Sequence, residues 1–413
     1  MYDLAADRSN NMIDLATPSY RKASFALALG SFLIFCNLYL FQPLIPVMAD
    51  QFSVSVLKAN GLLAASTTGL ALTLLPWAIL SEKLGRYPVM MISLALVPLT
   101  GLGILLSNSL TVMIVARALL GVALAGFAAV AVAYMAEEFT QSALTMAIGT
   151  YISANSLGGI SGRIFGGLVC EQWNWETAVA AMALFSLLCA LIVYALLPRA
   201  VHFQQEPGFS VKKAIRNIAG HLQNPKLSLA VLIGGLNFAL FVNLYTVTGL
   251  RLIAPPYSLP AGWTALIFLC YLSGTLSSRL SGHWRKQRTT TQGLLIGTFI
   301  SMSGVWVASL QELTAVIIGL LLISSGAFFV HSLAYGWVSH HATRAKATAT
   351  ALYLVAYYLG GSLGGFLLIA CWQKAAWHGV LVGSMTLYGL MYWMCFRLRK
   401  YDSTDQTPTM AAS

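Results

Sequence analysis

The sequence predicts an all-α membrane protein of twelve transmembrane helices in two pseudo-symmetric six-helix bundles, and three observations lead there. First, 9% of the residues are charged and 58% are hydrophobic. A soluble domain carries roughly a quarter charged residues, and so few could not cover a surface facing water. Second, apolar segments of about 20 residues, the length that crosses a bilayer, recur along the chain. They are read at 25–48, 59–81, 88–108, 111–135, 143–169, 177–197, 227–249, 262–282, 291–309, 313–338, 346–370 and 377–396. Third, the chain repeats itself. A shift of 202 lays Tyr151 on Tyr353, Leu157 on Leu359, Gly158 on Gly360, Gly159 on Gly361, Gly162 on Gly364 and Trp175 on Trp377, without a gap.

The first span follows a polar tail, 1–23, with no apolar core leading to a small-residue cleavage site, so the first helix is expected to be its own insertion signal. The N-terminal bundle is placed at 24–197. The polar stretch from Pro198 to Pro225 comes next and separates six spans from six, which makes 198–226 a linker. The C-terminal bundle, 227–397, and a tail, 398–413, complete the chain. The net charge of +11 invites a nucleic-acid reading until its distribution is examined. Of 24 Lys and Arg, three (Lys58, Arg251, Lys374) fall in loops on one side, Arg117 and Arg163 fall inside spans, and the other 19 lie on the opposite side. That is the positive-inside asymmetry, which puts both termini in the cytoplasm and leaves no charge pattern for nucleic acid to explain. The six cysteines sit in or at the ends of apolar spans with no C-x-x-C pair, as small core residues do. Nothing in the sequence calls for a cofactor or a metal.

Between the second and third spans runs Leu80-Ser81-Glu82-Lys83-Leu84-Gly85-Arg86-Tyr87-Pro88. Two membrane helices joined so briefly need a reversing residue, and Gly85 can adopt positive φ. Glu82 is spaced to pair with Arg86. The matching stretch of the second half, Gly282 to Lys286, keeps glycine and basic charge but has no acid. The fifth span carries Gly149, Gly158, Gly162, Gly166 and Gly167, and glycines at every fourth position let a second helix approach closely.

On these motifs and the repeat, the chain resembles the major facilitator superfamily from about Ser24 to Arg399. The resemblance is to the twelve-helix drug:proton antiporter branch and, within it, to YnfM-like inner-membrane transporters of bacteria. It implies the major facilitator fold, alternating access by rocking of the two halves, a monomer, and a small-molecule substrate exchanged for protons. Glu82, Gly85 and Arg86 match the superfamily's cytoplasmic latch, with Ala78 where Gly is usual and Glu82 where Asp is usual. The fifth-span glycines match the antiporter motif of the efflux branches, with Arg163 in place of its Pro. Arg117 matches the membrane arginine of the fourth helix implicated in proton coupling. A snorkelling arginine is the alternative there and at Arg163, which helical rise puts roughly 10 Å from the midplane.

The same resemblance makes the first, fourth, seventh and tenth helices line the substrate cavity. That nominates Asn37 and Gln42, then Asn237, Asn243 and Tyr245, with Tyr357 as an aromatic wall beside Tyr353. Interhelical hydrogen bonding is the competing use of each buried amide or hydroxyl. His331, in the tenth span, is either a packing residue or the proton carrier. None of the thirteen acids lies near the middle of a span, so a proton-coupled protein must use His331, whose class titrates near neutrality, or the helix-end pair Glu137 and Glu138. Export of a drug or metabolite by proton antiport is the function expected. Proton-linked or facilitative import of a sugar or other metabolite is the alternative. An intramembrane serine protease, suggested by Gly159-Ile160-Ser161-Gly162, is remote, and no enzyme activity is expected. A primary pump is disfavoured because the chain has no phosphate-binding loop of the G-x-x-x-x-G-K-[ST] type.

Overall fold

The computed structural model describes residues 12–203 and 211–404, and in 211–214 and 403–404 the backbone only. Asp3, Asp7, Glu206 and Asp405 lie outside the described residues. Among the described residues there are helices and turns, with one isolated bridge between Ile13 and Phe139. Each expected span has its helix. We number them α1 (Pro18–Tyr39), α2 (Gly61–Leu84), α3 (Arg86–Leu105), α4 (Leu110–Glu138), α5 (Gln141–Gln172) and α6 (Trp175–Leu196). The second set is α7 (Pro225–Ile253), α8 (Ala261–Gln287, with a 3₁₀ stretch at Ala265–Cys270), α9 (Thr290–Val307) and α10 (Leu313–His341). The last run, Lys346–Leu398, is two helices, α11 (346–374) and α12 (377–398), joined through non-helical Ala375 and Ala376.

The helix ends depart from the hydropathy reading for local reasons. α1 starts at Pro18 rather than 25, because the Thr17 side chain accepts from the Tyr20 N–H and Pro18 occupies the first turn. It also stops at Tyr39, well short of 48. Pro43 has no N–H to extend the ladder, and Gln42 N donates to Tyr39 O in a tighter turn before the short helix Ile45–Gln51. The uncertain end of the ninth span resolves at Val307. The linker is not only loop: Val211–Gln223 is helical.

The chain divides into two compact units, Met1–Val211 with Pro260–Ala265, and Lys212–Leu259 with Leu266–Ser413. In the first, α1 packs on α5, α2 on α4, and α3 on both α4 and α6. In the second, α7 packs along the 346–398 run, α8 on α10, and α9 on α10 and on the 346–398 run. The same pairings thus recur at corresponding positions of the repeat.

Candidate functional site

The α5 glycines show most directly how the repeat is used. A Cβ on Gly158 would lie 2.3 Å from Phe32 O, one on Gly162 2.4 Å from Cys36 O, and one on Gly166 2.5 Å from Leu40 O. Three glycines four apart therefore meet three residues four apart on α1 and its C-cap, backbone to backbone. The second unit does the same with α11 and α7: Gly360 meets Gly235 O at 2.1 Å and Gly364 meets Ala239 O at 2.4 Å by the same measure. Gly149 has nothing within 4 Å, and Gly167 meets the Ala265 side chain.

The in-span arginines bind backbone carbonyls together with neighbouring side chains. Arg117, 1% exposed, gives Nε to Leu62 O (3.0 Å), Nη1 to Asn37 O (2.9 Å), and Nη2 to Leu38 O (2.7 Å) and Ser66 Oγ (2.8 Å). Asn37 and Leu38 are in the last turn of α1, just before the Pro43 turn, where helix carbonyls lose their partners. The guanidinium caps that end, and its charge suits the negative pole of the helix dipole. Arg163, also 1% exposed, donates to Gln42 Oε1 and Gly159 O, each at 2.6 Å, and sits 3.7 Å from the Tyr39 ring centre. Arg251, expected in an outside loop, is buried instead. It caps the end of α9 through Ala308 O and Leu310 O and lies 4.6 Å from the Trp377 ring.

At the opposite end of the first unit, Gly85 has φ +92° and ψ 161°, a region open essentially to glycine alone. Arg86 follows and bonds Glu82 Oε1 through Nη1 at 2.7 Å, as the spacing predicts. It also binds Glu137 Oε1, through Nε at 2.9 Å and Nη2 at 2.8 Å, and Ser81 Oγ at 2.7 Å. Glu137 therefore joins Glu82 on Arg86 rather than standing apart from it. Glu138 is buried and fully engaged: Oε1 accepts the N–H groups of Val201 and His202, both at 2.8 Å, and Oε2 meets His202 Nδ1 at 2.9 Å. With Tyr134 O–H on Pro198 O (2.7 Å) and Arg86 over Phe203 (5.1 Å), these contacts fasten residues 198–203 to α3 and α4.

In the second unit His331 is half-buried, with Nδ1 3.0 Å from Tyr353 Oη and its ring 4.4 Å from that of Tyr357. Tyr357 is half-buried and stacks on Phe238 at 3.9 Å, while Tyr335, one turn after His331, is exposed. Sequence reasoning missed Phe238 and Tyr335, although the i, i+4 spacing of His331 and Tyr335 was there to be read. The other nominated cavity residues are buried in helix-to-helix bonds. Asn37 reaches Ser186 Oγ (2.9 Å), Asn237 reaches Ala327 O (3.0 Å), Asn243 reaches Gly361 O (2.8 Å), and Tyr245 reaches Leu320 O (2.9 Å). Gln42 holds Arg163.

Comparison with known proteins agrees with this architecture. The family model described as "Major Facilitator Superfamily" matches residues 27–365. The MFS-type transporter YybF of Bacillus subtilis (strain 168) is 35% identical over 370 residues, spanning 90% of this chain and 91% of that one. The inner membrane transport protein YnfM of Escherichia coli (strain K12) is 34% identical over 371 residues, spanning 90% and 89%. A crystal structure of a bacterial homologue of the human lysosomal transporter Spinster superposes with a TM-score of 0.78 at 15% identity. It covers 95% of this chain and 100% of the other, a likeness of fold. The chain is a multi-pass membrane transporter belonging to the major facilitator superfamily.

Proposed function

We propose that this transporter moves a small solute across the bacterial inner membrane outward in exchange for protons, with His331 as the group that carries the proton. The observation behind it is the placement of His331. It is partly accessible and held by a neutral hydroxyl, Tyr353, while each described acid lies in a loop or the terminal turns of a helix. Glu138 is committed to the 198–203 segment and Glu137 to Arg86, which makes them poorer carriers than the histidine. Arg117 is engaged within its own unit, where it fixes the end of α1. Both termini are read as cytoplasmic from the charge asymmetry.

Export is read from the resemblance of the α5 glycine spacing to the efflux branch. Two observations weaken that argument and keep proton-linked or facilitative import of a sugar or other metabolite as the second reading: Arg163 stands in place of the motif's proline, and the glycine contacts recur in the second unit. A thermal-shift screen of drugs, sugars and organic acids finds the solute, since a ligand that binds only the folded state raises stability by about 2.7 kcal/mol at a hundredfold excess over Kd. With that solute, proteoliposomes carrying a trapped pH dye report proton movement. His331→Gln is expected to abolish solute-driven proton flux while solute binding persists. Wild-type flux in His331→Gln together with its loss in Glu137→Gln, Glu138→Gln would move the carrier to the glutamates. Wild-type flux in both would refute proton antiport, and the direction of counterflow in oriented vesicles separates export from import.

A further inference from the structure

The linker contributes a feature that transport by the helical bundles does not use. Val211–Gln223, with sequence VKKAIRNIAGHLQ, is a 13-residue helix. At 100° per residue, positions 211, 215, 218 and 222 (Val, Ile, Ile, Leu) fall within about 60° of arc, and positions 213, 216, 220 and 223 lie on the far side. The helix contains Lys212, Lys213 and Arg216 and no acid. Within the stripe Ile215 is 62% exposed, Leu222 is 51% exposed and Ile218 is half-buried. A helix this short is marginal in water unless something takes its apolar face.

Its position says what does. One residue, Asn224, separates the helix from α7, a membrane-spanning helix that starts at Pro225, and Asn224 accepts the Lys226 N–H to start it. The Lys226 carbonyl is bound by Trp337 Nε1 (3.1 Å), and His221 in the last turn is buried. The C-terminal end is thereby fixed at the mouth of a spanning helix, on the side where the positive charges of the chain collect. A short amphipathic helix with a basic polar face, tethered at that level, has the composition that lies in the headgroup layer of an anionic leaflet.

We propose that Val211–Gln223 is a lipid-binding element that lies in the cytoplasmic surface of the bilayer, its aliphatic stripe among the acyl chains and its three basic residues on anionic phospholipid headgroups. It moors the start of the second unit. The other end of the same linker, 198–203, is held on the first unit by Glu138, Tyr134 and Arg86.

The test uses the full chain in vesicles, with a nitroxide attached through Ile215→Cys or, on the polar side, through Gln223→Cys. Both positions are exposed, so folding should be unaffected, and the parent protein labelled alike gives the background from its six cysteines. In vesicles of about one-third phosphatidylglycerol, the label at 215 should meet dissolved oxygen more readily than a polar nickel chelate, and the label at 223 the reverse. Replacing Lys212, Lys213 and Arg216 with Gln should cut the docked-to-undocked ratio by roughly fivefold per residue, and about 0.5 M salt should do likewise. Equal access of the chelate at both positions would refute docking. Shielding of position 215 from both reagents would show a protein partner in place of lipid and equally overturn the proposal. Docking of the same strength in pure phosphatidylcholine would refute the headgroup interaction.

Discussion

If the α5 glycines are packing devices, alanine at either copy of the repeat should carry the same penalty. A Cβ at 162 would stand 2.4 Å from Cys36 O and 2.5 Å from Cys36 Cα, and one at 364 would stand 2.4 Å from Ala239 O and 2.6 Å from Ala239 Cα. Backbone atoms on a packed helix cannot turn aside as a side chain can, so the helices must part by about half an ångström or more. Overpacking of this kind costs about 1–3 kcal/mol, offset by up to about 1 kcal/mol from the better helix propensity of alanine. A net loss of about 1–2 kcal/mol should lower the unfolding midpoint by roughly 2–8 °C for a unit of this size. Gly149→Ala, with open space around it, keeps only the propensity gain and should hold or raise the midpoint. The assay is thermal unfolding of purified protein, read by a thiol-reactive dye as the buried cysteines Cys36, Cys189 and Cys395 become accessible. The packing argument fails if Gly162→Ala and Gly364→Ala both unfold with the parent. It also fails as an account of the motif if Gly162→Ala stops transport at unchanged stability while Gly364→Ala leaves both intact.

Three further outcomes follow from the geometry. Arg117→Lys keeps the charge but not the fork that reaches Leu62, Asn37, Leu38 and Ser66. It should lose most of what Arg117→Met loses, about 3 kcal/mol or more from stranded carbonyls, and parent-like melting of the lysine variant would refute capping. Gly85→Ala meets only ordinary contacts, Pro88 Cδ at 3.6 Å and the Phe203 ring at 3.7 Å, so its cost is the strained φ of +92°, about 1–3 kcal/mol; a neutral effect would mean that the turn relaxes. Around Arg86, Glu82→Gln and Glu137→Gln should each be tolerated, near 1 kcal/mol for partly exposed pairs. The double variant leaves the buried Arg86 without an acid and should cost about 3–5 kcal/mol. A double-mutant cycle that sums without coupling would show that the two carboxylates act independently.

The sequence carried the spans because hydropathy is a property of composition over twenty residues, and a transmembrane helix needs little else. It carried Glu82–Arg86 because the partners are one helical turn apart. Glu137, 51 positions from Arg86, and Tyr353, 22 from His331, came into place only through packing between helices, which no local period records. The break in α1 was hidden for another reason. Pro43 lies in an apolar run, and proline interrupts hydrogen bonding without lowering hydropathy enough to end a span. The linker helix was legible, since Val211, Ile215, Ile218 and Leu222 keep a helical period, but a stretch judged by its polar composition conceals a period of that length.

The arginines show what reading from residue types leaves out. An ionisable group inside a span is by default a functional signal, because its burial is so costly. That inference assumes the cost could be met only by a substrate, an ion or a counter-charge. Here another source is available. Helix ends set in apolar sequence, α1 before Pro43 and α9 at Val307, leave carbonyls without N–H partners. A guanidinium with five donors and a full charge is the side chain best fitted to take several of them at once. Arg117 and Arg251 do this in the two units, at the ends of α1 and α9. His331 is different. Its described hydrogen bonds are with the Tyr353 side chain, and no helix end depends on it. Once the structural use of each in-span arginine is subtracted, the half-buried histidine is the in-span titratable group that caps no helix end, and that is why the proposed function is tested at His331 first.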